Sequence, residues 1–91
     1  MAWEEAKSMT IVEFLKENGA MEWKKGEHER YYMNDFKVFA DAVGYEYDNR
    51  HLFRKVNCYY DAKNDSFSYN SNNSTMSDVK TVLKAIRKVC A

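Results

Sequence analysis

Apolar and polar residues recur along this chain with two periods, and turn residues stand where one period gives way to the other. From Val56 to Asn70, VNCYYDAKNDSFSYN, the alternation is every second residue, the mark of strands with one covered face. Folding this stretch about Ala62-Lys63-Asn64-Asp65 sets Tyr60 opposite Phe67 and Cys58 opposite Tyr69, with Val56 on the same side. Asn57, Tyr59, Asp61, Ser66, Ser68 and Asn70 then share the other side. A slip of one residue would set Tyr60 against Ser68 and mix the two faces, so the pattern selects the register. The apolar side needs a cover, which flanking helices can supply.

Three stretches carry the helical period. Thr10 and Glu13 form a capping-box pair ahead of Ile11, Phe14 and Leu15, which share a face with Val12 at its edge; Asn18-Gly19 is the stop. Asn34 is placed to cap a second helix, in which Phe36, Phe39, Ala40 and Val43 recur and Gly44 ends the run. Thr75 and Asp78 open the last one. Its stripe is Met76, Val79, Val82, Leu83, Ile86, Val89 and Cys90, with Lys80, Lys84, Arg87 and Lys88 on the opposite face.

Between the first two helices, AMEWKKGEHERYYM reads as a second hairpin about Gly26. A Gly26-Glu27 tip places Lys24 opposite Glu29, an attractive pair, and collects Met21, Trp23, Arg30 and Tyr32 on one side. A three-residue loop would instead pair Glu22 with Arg30. Tyr45 and Tyr47 alternate with Glu46 and Asp48 as a short strand. Asp48 to His51 is a connector, Leu52 to Arg54 can begin the long hairpin early, and residues 71–74 form a polar loop. Residues 1–8 are a loose lead-in, with Trp3 in need of cover. The expectation is one α+β domain over residues 1–91 in the order α-β-β-α-β-β-β-α, a small antiparallel sheet with helices mainly on one face.

Composition narrows the picture. A 91-residue chain buries one modest core, and 45% hydrophobic with 15% aromatic residues argues against disorder. Net charge is zero, but residues 1–48 hold 6 basic and 11 acidic residues, a net of −5, and residues 49–91 hold 8 and 3, a net of +5. Either the halves attract each other on folding or the surface is dipolar toward a partner. No apolar run approaches the roughly 18–20 residues of a membrane span, and the acidic start lacks a signal-peptide core. A cytoplasmic protein with reduced Cys58 and Cys90 is expected, although both cysteines fall on apolar faces where a bridge could form.

Candidate chemistry is sparse. His28, His51, Cys58 and Cys90 have no metal-ligand spacing. The three glycines are each explained by a turn, which leaves no phosphate-cradling loop and no serine elbow. Glu27-His28-Glu29 resembles an acid–base cluster but would stand in water on a hairpin tip. A protein without enzymatic activity, cofactor or metal is expected.

Two surfaces compete for a binding role. Asn57, Tyr59, Ser66, Ser68 and Asn70 mix a rigid ring with adaptable polar groups, as protein-binding surfaces do. The alternative is a nucleic-acid surface built from Lys24, Lys25 and Arg30 with Lys80, Lys84, Arg87 and Lys88, where Trp23, Tyr31 and Tyr32 could stack on bases. Against it, core packing accounts for Trp23 and Tyr32, basic residues at a helix C-terminus complement its dipole, and a chain of zero net charge is a weak DNA binder. An edge strand also admits a homodimer.

The segment FLKENGAMEWKKGEHERYYMND, residues 14–35, resembles short uncharacterised proteins of phages and bacterial mobile elements. The matching residues are Asn18, Gly19, Trp23, Lys25, Gly26, Arg30 and Tyr32, and YDAKNDSFSY looks like a second shared element, with Asp65 where that type often has glycine. Small size, the lack of a catalytic set and a polar Tyr/Asn/Ser sheet face with separated charge favour an accessory protein of such elements that binds a host protein stoichiometrically, in the manner of an anti-CRISPR inhibitor. The resemblance supplies no active site.

Overall fold

The structure, a computed structural model, describes residues 9–47, 53, 55–71 and 75–90. The lead-in with Trp3, the Asp48–His51 connector, Leu52, Arg54 and residues 72–74 lie outside the described residues. Helix α1 spans Ile11–Glu17, β1 Met21–Lys25, β2 His28–Tyr32, α2 Phe36–Ala42, β3 Asn57–Asp61, β4 Ser66–Asn70 and α3 Met76–Val89. The strands form one antiparallel sheet in the order β1-β2-β3-β4.

Local chemistry explains most boundaries. At the start of α1 the Glu13 amide donates to Thr10 Oγ1 at 3.1 Å and the Thr10 amide to Glu13 Oε1 at 3.2 Å, the reciprocal cap that the pair predicts. These bonds, the backbone one first, hold the Glu13 carboxyl below its ordinary range. The helix ends with Gly19 at φ 90°. The Ala20 amide reaches back to the Leu15 carbonyl and the Gly19 amide to that of Lys16, a Schellman closure. Two other caps differ from expectation. Asp35, not Asn34, precedes α2, and it makes no side-chain cap bond. Thr75 precedes α3 without capping it; its hydroxyl bonds Ser71 Oγ at 3.0 Å. Asp78 accepts from Tyr45 instead.

The long hairpin has the expected turn and register, with Asp61 facing Ser66, Tyr60 facing Phe67 and Cys58 facing Tyr69. Asp61 builds the turn, accepting from the Lys63 and Asn64 amides at 3.1 and 3.3 Å. In the first hairpin Lys24 faces Glu29, as a Gly26-Glu27 tip requires. The expected strand at Tyr45–Tyr47 is absent. Both tyrosines are irregular and anchor through their hydroxyls, Tyr45 to Asp78 on α3 and Tyr47 to Asp41 on α2 at 3.1 Å. Phe53 and Lys55 have φ of 53° and 58°, which stops the long hairpin from extending back through them.

One core lies between the sheet and the helices. Phe14 and Leu15 of α1, Phe36, Phe39 and Ala40 of α2, and Val79, Val82, Leu83 and Ile86 of α3 close over Tyr31, Met33, Cys58 and Tyr60. The stripes that the helical period picks out are therefore buried at their centres and half-buried at their ends, and α1, α2 and α3 cover the same face. The result is a two-layer slab 18 Å thin in its shortest dimension. No helix among the described residues is long and apolar enough to cross a membrane.

Candidate functional site: the open face of the sheet

Because side chains alternate along a strand, the register that buries Tyr31, Cys58 and Tyr60 turns their neighbours to the other face. That face carries Met21, Trp23 and Lys25 from β1, His28, Arg30 and Tyr32 from β2, Asn57, Tyr59 and Asp61 from β3, and Ser66, Ser68 and Asn70 from β4. None of these residues is buried and none belongs to the core cluster. Core packing therefore does not account for Trp23 and Tyr32. Tyr31 is the ring of that hairpin that enters the core, 1% exposed, while Trp23 and Tyr32 stay half-buried outside it.

Arg30 is the centre of the open face. Its guanidinium carbon lies 5.2 Å from the centroid of the Trp23 ring and 4.6 Å from that of Tyr59, and Nη1 donates to the Tyr32 hydroxyl at 3.2 Å. Tyr32 and Tyr59 meet with centroids 5.1 Å apart. The cation is thus held in place by three rings, and the bond to Tyr32 leads the influences that raise its pKa further. Its Nε is shut from solvent and has no hydrogen-bond acceptor among the described residues; the ring faces are its surroundings. Beside this cluster a depression of about 250 Å³ is bounded by Tyr32, Asn34, Asn57, Tyr59, Ser68 and Asn70.

Four of the five predicted partner-binding residues, Asn57, Tyr59, Ser68 and Asn70, meet at that depression, and Ser66 shares their face farther along β4. The residues of the alternative nucleic-acid surface are divided. Lys25 and Arg30 are on the open face. Lys24 is on the helix side of β1, 3.7 Å from Glu22. Lys80, Lys84, Arg87 and Lys88 belong to α3, in the layer behind the sheet. The Glu27-His28-Glu29 triplet is divided too. His28 joins the open face, Glu27 pairs with Lys63 at 2.7 Å on the hairpin tips, and Glu29 accepts from the Tyr31 hydroxyl on the helix side.

Sequence reasoning missed two clusters. On the helix side, the Tyr31 hydroxyl lies between Glu29 and Glu22, 3.0 Å from the latter. Burial first, then these two carboxylates, raises its pKa well above the ordinary tyrosine value. This lets the one polar atom of a buried ring end at the sheet margin. At the end of the long hairpin, Asp65 accepts from Tyr60 at 2.6 Å and from Arg87 at 3.1 Å, and Arg87 also donates to the Asp65 carbonyl at 2.8 Å. Asp65 has φ 49°, so it stands in the left-handed region where its position suggests glycine. Alternation with the Lys24–Glu29 register does place Glu22, Glu29 and Tyr31 on one face, but not which face is covered; the Asp65 cluster joins separate elements and leaves no mark in the alternation.

Cys58 and Cys90 are free thiols. Burial pushes the Cys58 thiol up to about 12, and it touches Met33 sulfur at 3.6 Å, the setting of an inert core cysteine. Among the described residues no group of three or more His, Cys, Asp or Glu side chains could hold a metal ion, and His51 lies outside them.

No protein family, curated protein or solved structure matches this chain.

Proposed function

We propose that the protein is a non-enzymatic binding module whose open sheet face docks on another protein. The observation that carries this reading is the cluster of Trp23, Arg30, Tyr32 and Tyr59 standing outside the core. Trp, Tyr and Arg are the residues that dominate protein–protein binding energy. Here the rings hold the guanidinium in place beforehand, so docking orders few side chains. The surrounding Asn57, Ser68 and Asn70 provide a polar rim around the depression. In the phage or mobile-element setting that the resemblance suggests, the partner is a host protein bound stoichiometrically, and an inhibitory, anti-CRISPR-like role fits a module of this size.

Nucleic-acid binding is the weaker reading because the aromatic platform and the α3 cations lie in different layers, so one strand could not meet rings and a phosphate track together. The test is capture from bacterial lysate with immobilised wild type, Tyr32→Ser/Tyr59→Ser and Lys80→Glu/Lys84→Glu, analysed by mass spectrometry. A protein retained by the wild type and the lysine variant but lost from the tyrosine variant is the expected result. A capture pattern indifferent to Tyr32 and Tyr59 would defeat the proposal. So would submicromolar binding of an oligo-dT strand at physiological salt.

A further inference from the structure

The sheet has two free edges among the described residues, and they differ. Hydrogen-bonded pairs alternate along an antiparallel ladder, so the outward groups of an edge strand can be deduced. The Met33 amide bonds the Cys58 carbonyl and the Ala62 amide bonds the Glu29 carbonyl. Cys58, Tyr60 and Ala62 therefore direct their backbone toward β2, and Asn57, Tyr59 and Asp61 direct theirs toward β4, to Asn70, Ser68 and Ser66. The amides and carbonyls of Phe67 and Tyr69 are left pointing away from the sheet. The same reasoning on β1 leaves Glu22 and Lys24 pointing outward. Edge strands are normally protected by charge or proline. β1 carries Glu22, Lys24 and Lys25, whereas β4, SFSYN, carries no charge and no proline.

Beside this unprotected edge lies a groove of about 410 Å³ between β4 and α3. Phe67, Tyr69 and Leu83 are its apolar lining, and Tyr69 is 36% exposed. Lys80, Lys84 and Arg87 line the helix side. Arg87 is bound to Asp65 at one end of β4, and Thr75 to Ser71 at the other. α3 therefore runs antiparallel along the whole strand, which sets the lysines in a row parallel to the edge. Lys80 and Lys84 are about 6 Å apart along the helix axis, close to the roughly 6.6 Å between alternate residues of a strand.

We propose that the β4 edge accepts an extended acidic segment of another protein as a fifth strand. Its backbone bonds Phe67 and Tyr69, and carboxylates on alternate residues meet Lys80 and Lys84. A second copy of this chain paired through β4 would set the two lysine rows against each other, which disfavours that occupant. Ser66 of the open face also lines the groove and Tyr69 also lines the open-face depression, but this site uses none of Trp23, Arg30, Tyr32 and Tyr59, so it stands or falls separately from the function proposed above.

The probe is a dye-labelled octapeptide of alternating Glu and Thr, followed by fluorescence anisotropy and by amide shifts of the ¹⁵N-labelled protein. Binding is expected to move the Phe67 and Tyr69 amides more than those of Glu22 and Lys24. Lys80→Glu/Lys84→Glu, with an unchanged circular dichroism spectrum, should weaken it about tenfold or more. A peptide N-methylated on the alternate residues that face β4 should lose binding, while methylation of the other set should leave it within about twofold, because only one set donates to the edge. Equal binding by the two methylated peptides would reduce the interaction to charge alone and overturn the proposal. So would no binding at millimolar peptide, binding of oligo-dT in its place, or a dimer in sedimentation that the peptide does not dissociate.

Discussion

The two faces of this sheet are built from the same strands, and both carry aromatic rings in different surroundings. On the helix side Tyr31 and Tyr60 are 1% and 6% exposed under α1, α2 and α3. On the other side Tyr32 and Tyr59 pack on each other, Trp23 lies against His28, and Arg30 spans Trp23 and Tyr59. The aromatic richness of the chain is therefore not all core. Rings on the helix side hold the domain together; rings on the open side form a rigid, half-wet patch whose loss the fold can tolerate. That division makes the strongest prediction. Phe39→Ala, which empties a site 1% exposed at the centre of the core, should lower unfolding free energy by about 3–5 kcal/mol. Tyr59→Ser removes only cross-strand contacts on an uncovered face and should cost about 1 kcal/mol or less. Urea unfolding with an unchanged m-value measures both. A cost for Tyr59→Ser near that of Phe39→Ala would mean that the face is covered in the folded protein, and the comparison would fail.

The contrast also explains what the sequence could reveal. The β3–β4 hairpin was legible because one face is apolar and the other polar, so one register satisfies both. In β1–β2 the Lys24–Glu29 pair disclosed the register but not which side meets the helices. Read along the strands, Met21, Trp23 and Tyr32 look like the buried set, while Glu22, Lys24 and Glu29 look like a solvent face. The structure reverses this because β1 is an edge strand beyond the helix layer. Glu22 and Lys24 stay exposed on the helix side, and Tyr31 alone reaches the core, its hydroxyl met by Glu22 and Glu29. Tyr45 and Tyr47 show another limit. Their alternation with acidic residues suggests a strand, yet no strand among the described residues pairs with them, and each hydroxyl finds a carboxylate instead. That Asn57, Tyr59, Ser66, Ser68 and Asn70 share one face was legible because the β3–β4 register fixes it, and the Trp23–Arg30–Tyr59 stack was half visible as Arg30 lying across Trp23. That Tyr59 would complete it depends on β2 pairing with β3, a long-range choice that local pattern does not encode.

A smaller effect separates the faces by pH. Asp65 lies on the helix-side end of the long hairpin, where the Tyr60 hydroxyl first and the Arg87 guanidinium second hold its carboxyl below the ordinary carboxylate range. A carboxyl with a depressed folded pKa binds protons more readily in the unfolded chain. Its stabilisation is complete above the unfolded value and disappears as pH falls through the folded one. Asp65→Asn keeps a residue that tolerates φ 49° and an oxygen for Tyr60, and it removes the charge opposite Arg87. The variant should be less stable than the wild type at neutral pH, and the gap should close in acid, read as urea midpoints across the acidic range. A gap that persists in strong acid would mean that backbone geometry, not the charged contact, is what the substitution disturbs. The corresponding open-face change is Ser68→Asn, at a position that faces Tyr59 and no carboxyl across the strand pair, and it should show no such closure.

The smallest effect concerns the charge division along the chain. The −5 and +5 halves suggest mutual attraction, yet Lys16–Glu22, Lys24–Glu22 and Lys37–Asp41 fall within the acidic half and Arg87–Asp65 within the basic one. Among the described residues, Lys63–Glu27 at 2.7 Å is the ion pair that crosses, and it joins the two hairpin tips with side chains 51% and 85% exposed. Pairs this open to water contribute roughly 0–1 kcal/mol and weaken with salt. Lys63→Ala should therefore change unfolding free energy by no more than about 0.5 kcal/mol, a difference that should vanish in molar salt. If it instead cost as much as a core truncation, attraction between the halves would be holding the domain together. The open face would then lose its distinction as the part of the sheet that stability does not need.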